Sequence, residues 1–543
     1  IARQQMDTMP RIDSSKNLPL PRVNEASLSG TLVASTNFSG WSSLGPGNVG
    51  GRTRTLVIHP TTPNIMYTAG VAGGIWKTTD GGQNWRPVFD DQPNLAIADI
   101  EFDIARPDTM FAATGDPNIT GSVYVGEGVY RSVDGGDTWQ YLGLRNEGII
   151  SKVWVKPDNP NIILAGVMGY PMQRGLDRGM YRSTDAGQNW SRVLSISDQT
   201  GIIDLVQDPR NPDVLFASSW DRIRTARESL IEGPGAGVWK STDGGATWTR
   251  STNGLPSGDM GRVGLSASKA TPNTFFTLYV GTDRQLLGIY KTSNAGTSWS
   301  EVPTDSVNPN ALGGFGWYFG KIAVNPVDDN ELYVLGVDLY STTDGGLDWD
   351  LATPPWWWYD VHADKHDIHF ISPNHILLAT DGGLYETTDH GNNWLKIENI
   401  PNTQFYRIAH NPHQPTFYYG GAQDNGSTGG NLNFGSGFDP VTQNRVTTSI
   451  FGGSVGLSAG YIVFNGYRNT HTYKQAQLGV ESSMLDLKKI ENDISLFVVN
   501  GYLNILFAKE NLNAAKIQFD ISKKQIEAAQ NRYKSGVIAK GEL

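Results

Sequence analysis

The sequence contains no cysteine among its 543 residues, and charged residues make up only 18% of it. Without cysteine, disulfides, thiolate zinc sites and cysteine nucleophiles are all excluded. Acidic residues outnumber basic ones, which gives a net charge of -11. Proteins that bind nucleic acid concentrate Lys and Arg where counterions must be displaced, so this charge argues against a nucleic-acid partner.

Long apolar runs and a recognisable targeting segment are also missing. No uninterrupted apolar run reaches the roughly 18 residues of a membrane-spanning helix. The chain starts at Ile1, without an initiator Met or the charged-then-apolar leader of a signal peptide, so we expect a processed chain or a fragment. Residues 1–40 are polar and aperiodic, which is typical of a leader or linker.

Glycine and tryptophan are abundant, with 63 and 16 residues, and a repeated nonapeptide accounts for many of them. Its seven copies, of which KTTDGGQNW is the first, end at Trp85, Trp139, Trp190, Trp248, Trp299, Trp349 and Trp394. Each copy follows a β-rich segment with a Pro-containing turn, such as VIHPTTPNIMYTAG, which indicates four strands per repeat. Four strands form one propeller blade. The sequence therefore predicts a mainly β fold, a β-propeller of seven or more blades over residues 41–425.

The nonapeptide resembles the Asp-box, or BNR, repeat of sialidases, sortilin-type propellers, xyloglucanases and many secreted bacterial proteins. The resemblance covers about residues 41–425 and implies a secreted or cell-envelope propeller. After the seventh copy, residues 405–426 open an eighth repeat that never reaches its own DGG–Trp ending. Either the ring has more than seven blades or a second propeller begins there.

The acidic residue of each copy is predicted to be structural. Its side chain accepts backbone N–H bonds across a tight hairpin, the following Gly adopts a conformation that a Cβ would forbid, and the Trp packs between blades. Catalysis is the alternative, but the hairpin joins the third and fourth strands, opposite the blade-to-blade loops. The residues are Asp80, Asp134, Asp185, Asp243, Asn294, Asp344 and Asp389.

The pattern changes near Gly430, so residues 426–543 are predicted to form a different module. SVGLSAGYIVFNG alternates apolar with small or polar residues and predicts a strand over 450–466. Heptad spacing, which includes Leu512 and Phe519, then predicts one long coiled-coil α-helix over 468–533.

Residues 431–543, with NDISLFVVNGYLNILFAKENL and RYKSGVIAKGEL, resemble part of the TolC family of outer-membrane efflux channels. The resemblance implies contact with the outer membrane and, as partners, further TolC-like helices or a trimer. The returning helix and the remaining strands of that family are absent. Because both modules stop in the middle of a unit, we interpret the sequence as a joining of two reading frames rather than a native fusion.

Ligand-binding residues are expected on the channel face, where the blade-joining loops and the loops between second and third strands converge. In WWWYDVHADKHDIHF, the side chains of His362, Asp364 and His366 alternate and would share one face of an extended segment. They are a candidate site for a divalent metal, and polar ligand contact and structural hydrogen bonding are the alternatives. The candidates for ligand contact are Arg52, Arg54, Asp116, Asp221, Arg222, Trp317, Tyr318, Trp356, Trp357, Trp358 and Asp424.

The preferred function is a non-catalytic propeller that binds a glycan or protein ligand and is secreted, periplasmic or associated with the outer membrane. A sialidase needs an arginine triad, a tyrosine nucleophile with its glutamate, and an acid, of which only Arg52 and Arg54 are found. Xyloglucanases use two carboxylates across a cleft between two propellers, and Val71 occupies the position of the first-blade Asp. A glycoside hydrolase related to either family is the first alternative function, and an outer-membrane efflux component is the second. No catalytic residue is assigned from the sequence.

Overall fold

The computed structural model describes residues 50–120, 123–225, 227–358, 360–411, 414–425, 427–430, 437–438, 445–446, 509, 511–513 and 515–536. The chain divides into two compact units, Ile1–Ile450 and Phe451–Leu543. The predicted leader over 1–40 and the predicted strand over 450–466 lie outside the described residues.

Seven four-stranded antiparallel sheets follow one another along the first unit, and each is one propeller blade. The first strand of blade 7 packs against the first strand of blade 1, so the ring is closed. The prediction of a mainly β, seven-bladed propeller is confirmed. The strands are Thr53–Ile58, Met66–Gly70, Ile75–Thr78 and Arg86–Pro87 in blade 1; Ile97–Phe102, Met110–Thr114, Val129–Ser132 and Gln140–Gly143 in blade 2; Ile149–Val155, Ile163–Gly169, Gly179–Ser183 and Ser191–Leu194 in blade 3; Thr200–Asp208, Asn211–Asp221, Gly237–Ser241 and Thr249–Ser251 in blade 4; Val263–Ala267, Phe275–Val280, Leu286–Thr292 and Ser300–Val302 in blade 5; Lys321–Val324, Leu332–Leu335, Leu339–Thr342 and Asp350–Leu351 in blade 6; Lys365–Ser372, His375–Thr380, Gly383–Thr387 and Leu395–Ile397 in blade 7.

The seven nonapeptides form the turns between third and fourth strands, and the same bonds recur in each. In blade 2 the Asp134 carboxylate accepts a bond from the Ser132 hydroxyl at 2.7 Å and from the Thr138 amide at 2.9 Å. The Ser132 hydroxyl in turn accepts the amide of Gly136 at 2.8 Å. Asn294 makes the equivalent bonds in blade 5, with the Thr292 hydroxyl at 2.9 Å and the Ser298 amide at 3.0 Å. These side chains therefore close the hairpin from within the turn.

Glycine and tryptophan complete each turn. The second glycine of the motif has a positive φ in every blade, for example 88° at Gly136. The first glycine is replaced by Ala186, Ala295 and His390 in three blades, also with positive φ. The indole of Trp139 donates to the carbonyl of Val88 in the preceding blade at 2.7 Å. The motif thus fixes both its own turn and the contact to its neighbour.

Aspartates on the inner strands bond adjacent blades around the channel. Asp99 accepts the amide of Val153 and Asp204 accepts the amide of Leu265, both at 3.1 Å. Asp367 of blade 7 accepts the amide of Leu56 of blade 1 at 3.2 Å. This last bond joins the two ends of the ring.

A further sheet follows the seventh blade within the same unit. Its three antiparallel strands, Phe405–Asn411, Gln414–Ala422 and Ser427–Gly430, correspond to the eighth repeat opening noted in the sequence. The side chain of Asn402, just before this sheet, accepts the amide of Gly51 at 3.0 Å and donates to the Thr53 hydroxyl at 3.0 Å. The connection into the sheet is therefore bonded to the start of blade 1. A short pair, Gly437–Phe438 and Arg445–Val446, completes the described strands of this unit.

The described part of the second unit is helical, over residues 509, 511–513 and 515–534. This agrees with a C-terminal helix, and the rest of the predicted helix over 468–533 lies outside the described residues. Leu512, Phe519 and Ile526, which are spaced by seven residues, are exposed. Among the described residues, no helix is long and apolar enough to cross a membrane.

Candidate carboxyl-lined active site

A cavity of about 730 Å³ opens at the channel face of the first unit. Its walls come from the loops between second and third strands, from the loops that join blades, and from the sheet that follows blade 7. The nonapeptide turns lie at the other end of the blades, because the residue after each motif Asp donates its amide to the turn between first and second strands, as Gly135 does to Asp108. Structural turns and cavity are therefore separated along each blade.

Three aspartates meet at this cavity. Asp364 lies in the loop before the first strand of blade 7, Asp381 lies in the turn between its second and third strands, and Asp424 follows the second strand of the next sheet. One carboxylate oxygen of each lies within 4.8 Å of the other two. Asp381 is buried, Asp364 is half-buried and Asp424 is exposed. The group thus spans from the protein interior to the cavity mouth.

Burial dominates the electrostatics of the two inner carboxyl groups. It raises the pKa of Asp364 to about 7, with the charges of Asp381 and Asp424 acting in the same direction. Burial also raises the pKa of Asp381 to about 7, although Arg52 and Arg54 oppose the shift. Carboxyl groups of this kind hold a proton near neutral pH and can act as general acids.

His366 fixes the orientation of Asp381. Nη1 of Arg54 lies 3.4 Å from Nδ1 of His366, and a guanidinium can only donate, so Nδ1 must accept. The ring proton of the neutral imidazole is then on Nε2, which contacts Oδ1 of Asp381. Burial lowers the pKa of His366 well below its ordinary value, in keeping with a neutral ring. His366 therefore donates to Asp381.

The metal set predicted from the sequence is not assembled. Among the described residues, the group of three side chains close enough to hold a cation is Asp364, Asp381 and Asp424, and neither His362 nor His366 belongs to it. His362 instead has Nε2 3.0 Å from the carbonyl oxygen of Asp424, and His366 faces Asp381. The alternation in the sequence fails to bring them together because His362 and Asp364 precede the strand, which begins at Lys365, and Asp364 has a left-handed backbone with a φ of 64° rather than an extended one.

Aromatic side chains form much of the remaining wall. They are Tyr124, Phe315, Trp317, Tyr318, Phe319, Trp356, Phe405 and Tyr406. Of the predicted tryptophan run, Trp356 lines the cavity, whereas Trp357 and Trp358 are exposed side chains outside its lining. Aromatic faces beside a few polar groups are typical of sites that bind sugars or other small ligands.

The arginines near the cavity mainly hold protein groups. Arg52 lines the cavity and donates to the Gln404 side chain at 3.0 Å and to the Tyr318 hydroxyl at 3.4 Å. Arg54 also donates to the Tyr318 hydroxyl, at 3.3 Å, and pairs with Asp116 at 3.7 Å. Arg262 donates to the Tyr318 carbonyl at 3.0 Å. Because Arg54 and Arg262 are buried behind the wall, they do not form an open carboxylate-binding triad.

Four residues predicted to contact ligand lie in the interior. Arg54 and Asp116 are buried partners of each other. Asp221 is fully buried and accepts the amide of Gly235 at 2.8 Å as well as the Thr200 hydroxyl. Arg222 is also fully buried. The charged residues were expected to be exposed, but Arg54 instead bonds to buried side chains, and Asp221 and Arg222 satisfy backbone groups of neighbouring loops.

Sequence reasoning missed Asp381 and Gln404. Asp381 stands in ATDGG, a segment that looks like the centre of one more nonapeptide. Asp381 nevertheless precedes the third strand of its blade, whereas a nonapeptide Asp follows it. Its place in blade 7 corresponds to that of Val71 in blade 1, in the turn between second and third strands. Counting strands from each nonapeptide would have separated Asp381 from the nonapeptide aspartates, called the rim aspartates below, which lie in the turns between third and fourth strands. Gln404 carried no signal in the sequence.

The fold and the site define this protein as a propeller with an aromatic cavity lined by carboxyl groups. Comparison with known proteins shows which proteins of this class it is similar to. No family model matches the chain. A xyloglucanase from Paenibacillus sp is 26% identical over 364 residues, which cover 60% of this chain and 33% of the relative. A xyloglucanase from Hypocrea jecorina is 25% identical over 435 residues, which cover 73% of this chain and 45% of the relative.

Solved structures of xyloglucanases share the propeller fold of this chain. The GH74 xyloglucanase from Xanthomonas campestris superposes with a TM-score of 0.52 at 18% identity, covering 76% of this chain and 62% of that one. This chain spans about a third of the length of the first curated relatives, 33% and 35%. The prediction of a non-catalytic binding propeller is wrong, because the similar proteins are xyloglucanases, and the glycoside hydrolase alternative is the better supported one.

Proposed function

We propose that this chain is part of a glycoside hydrolase that cleaves a xyloglucan-type polysaccharide. The observation that carries the proposal is the group of Asp364, Asp381 and Asp424 at the aromatic cavity, of which the first two have a pKa raised to about 7. Glycoside hydrolysis needs one carboxyl group that donates a proton and a second that acts as base or nucleophile. The similarity to xyloglucanases favours the same substrate class.

Within the group, burial separates the roles. Asp381 is the candidate acid, because burial keeps its proton near neutral pH and His366 fixes one of its oxygens. Asp424 is the candidate nucleophile, because it is exposed at the cavity mouth and one of its oxygens lies within 4.8 Å of one of Asp381. This short spacing suits a retaining pair, in which the second carboxylate attacks the sugar and the acid later acts as base toward water, rather than an inverting pair with a water between the two groups. Asp364 has an oxygen within 4.8 Å of both, and the negative charges of Asp381 and Asp424 help to raise its own pKa, so it adds a second protonated carboxyl group beside the acid.

The position of Val71 raises the question of how a hydrolase could lack the first-blade Asp of xyloglucanases. Val71 is buried in blade 1 and offers no ionisable group. Asp381 occupies the same kind of turn one blade away across the ring closure, so we infer that blade 7 supplies the carboxyl group from the propeller side. The sheet that begins at Phe405 forms another part of the cavity wall and carries Asp424 in the turn between its second and third strands. The proposal also implies export, since such polysaccharides are extracellular.

The test measures release of reducing sugar from xyloglucan by the purified chain and by Asp381→Asn and Asp424→Asn. Removing either carboxyl group of such a pair should lower the rate by at least about 10²- to 10⁴-fold. Asp185→Asn, at a rim turn, is the matched control and should retain activity. Mixed-linkage glucan and cellulose, tried in parallel, define the substrate class.

Two outcomes would refute the proposal. The first is no hydrolysis of any of these polysaccharides by the unsubstituted chain. The second is activity that survives both cavity substitutions. Loss of activity on chelation with EDTA, followed by recovery with a divalent cation, would instead assign the three carboxylates to a metal.

A further inference from the structure

Arg222 is a fully buried arginine whose partners are mostly backbone carbonyl groups. Its guanidinium donates to Ile223 at 3.1 Å, to Leu230 at 3.0 Å, and to the carbonyl of Ile119. Among the described residues, no carboxylate lies within ion-pairing distance of it. Burial accordingly lowers the pKa of Arg222 to about 10.

The same guanidinium lies over two indole rings. It is 5.5 Å from the ring centre of Trp220 and 5.3 Å from that of Trp317. Trp220 is fully buried, whereas Trp317 is half-buried and lines the cavity. A desolvated cation over an aromatic face is attracted by the ring quadrupole, more strongly than in water. One face of Trp317 is therefore held from inside the protein.

Arg222 also joins three separate loops. Ile119 belongs to the loop between second and third strands of blade 2, and Ile223 and Leu230 belong to a small hairpin inserted in blade 4. Trp317 belongs to the loop before blade 6, whose residues Phe315 and Phe319 also line the cavity. Moving or shortening the Arg222 side chain would release these loops from one another.

We propose that Arg222 is a positioning residue that holds the ring of Trp317 in the cavity wall and thereby sets the affinity for the sugar bound there. The affinity part rests on the proposed function, namely that the cavity binds a polysaccharide. Arg222 itself does not contact the ligand, because it is fully buried.

Arg178 is a close control. It is likewise fully buried, it donates to carbonyl groups of Tyr170, Gln173 and Arg222, and burial lowers its pKa to about 10. It differs in that, within the part of the chain that the structure describes, its guanidinium lies over no aromatic ring of the cavity wall. A purely structural loss should therefore affect Arg178 and Arg222 variants alike.

The experiment labels the protein with 5-fluorotryptophan and identifies the Trp317 signal by its loss in Trp317→Phe. Arg222→Met should shift and broaden that fluorine signal, whereas Arg178→Met should leave it in place. Calorimetric titration with a xyloglucan oligosaccharide should show about tenfold weaker binding for Arg222→Met and unchanged binding for Arg178→Met. Arg222→Lys keeps the charge but loses the planar stack, and should show a smaller shift; it serves if Arg222→Met does not fold.

A Trp317 signal that is unchanged in both Arg222 variants would overturn the proposal, and so would an equal shift in Arg178→Met. If the unsubstituted chain does not bind the oligosaccharide, the proposed function fails, but the fluorine shift still decides whether Arg222 positions Trp317. The two failures are thus distinguishable.

Discussion

Replacing Asp134 tests the structural role of the rim aspartates. Its carboxylate accepts three bonds, from the Ser132 hydroxyl at 2.7 Å, the Thr138 amide at 2.9 Å and the Thr138 hydroxyl at 2.6 Å. Buried bonds to a charged acceptor would each contribute about 1.5–3 kcal/mol. Asp134 is exposed, so water replaces much of what is lost, and we expect Asp134→Ala to cost about 1–2 kcal/mol in total.

Asp134→Asn is the matched variant, because blade 5 carries Asn294 at the same place with the same acceptor bonds. The amide oxygen keeps the bonds to Ser132 and the Thr138 amide but loses the charge. We therefore expect Asp134→Asn to retain at least half of the stability that Asp134→Ala loses. In a ring of this size 1–2 kcal/mol corresponds to roughly 1–3 °C in Tm, so replicate calorimetry is needed.

Acid adds a second readout. Although partial burial opposes it, hydrogen bonds from Thr138 and Ser132 lower the pKa of Asp134 to about 2. A carboxyl group whose pKa is lower in the folded state stabilises the fold above its unfolded pKa of about 3.9 and loses that contribution as pH falls toward 2. The difference between the unsubstituted chain and Asp134→Asn should therefore shrink between pH 5 and pH 2. Equal losses for the Ala and Asn variants, or a difference that does not change with pH, would refute the reasoning.

Three further predictions concern other parts of the chain. If Asp381 must be protonated to act as the acid, hydrolysis should decline as pH rises through about 7, measured as kcat/KM against pH, and a flat profile up to pH 9 would contradict the role. Asp367→Ala should lower Tm and speed proteolysis between blades 7 and 1, because it removes the bond to Leu56, whereas Lys396→Ala on the outer strand should do neither. Because Leu512, Phe519 and Ile526 are exposed, the C-terminal helix should self-associate with concentration in analytical ultracentrifugation, and a chain with all three changed to Ser should not.

The ring could be predicted from the sequence because each blade is encoded locally. The nonapeptide places its acceptor, its positive-φ glycine and its tryptophan within nine consecutive residues, and all of these contacts are made within one blade or with the preceding one. Repetition then gives seven complete blades, although the incomplete eighth repeat left open whether the ring closes at seven. The closing bond between Asp367 and Leu56 could not be seen, since nothing in either segment marks the other as its partner.

The site could be predicted only in part, because it is assembled from distant segments. Arg52, Trp317, Trp356, Asp364 and Asp424 were recognised as loop residues and do line the cavity. Arg222 was also predicted to contact ligand, but it is buried. Carbonyl groups of the neighbouring loops accept its hydrogen bonds in place of water. Local sequence does not encode how neighbouring loops pack on one another.

The two kinds of aspartate in this propeller carry opposite pKa shifts although their sequences are nearly identical. Asp80 stands in TTDGG and Asp381 in ATDGG. Hydrogen bonds, led by that from Asn84, lower the pKa of Asp80 to about 2, whereas burial raises the pKa of Asp381 to about 7. The difference follows from position in the blade. The turn after the third strand supplies N–H donors to the carboxylate, whereas the turn before it lies at the inner end of the cavity, where Asp381 is buried and other carboxyl groups converge. An aspartate at the first position is therefore suited to hold a hairpin, and one at the second is suited to hold a proton.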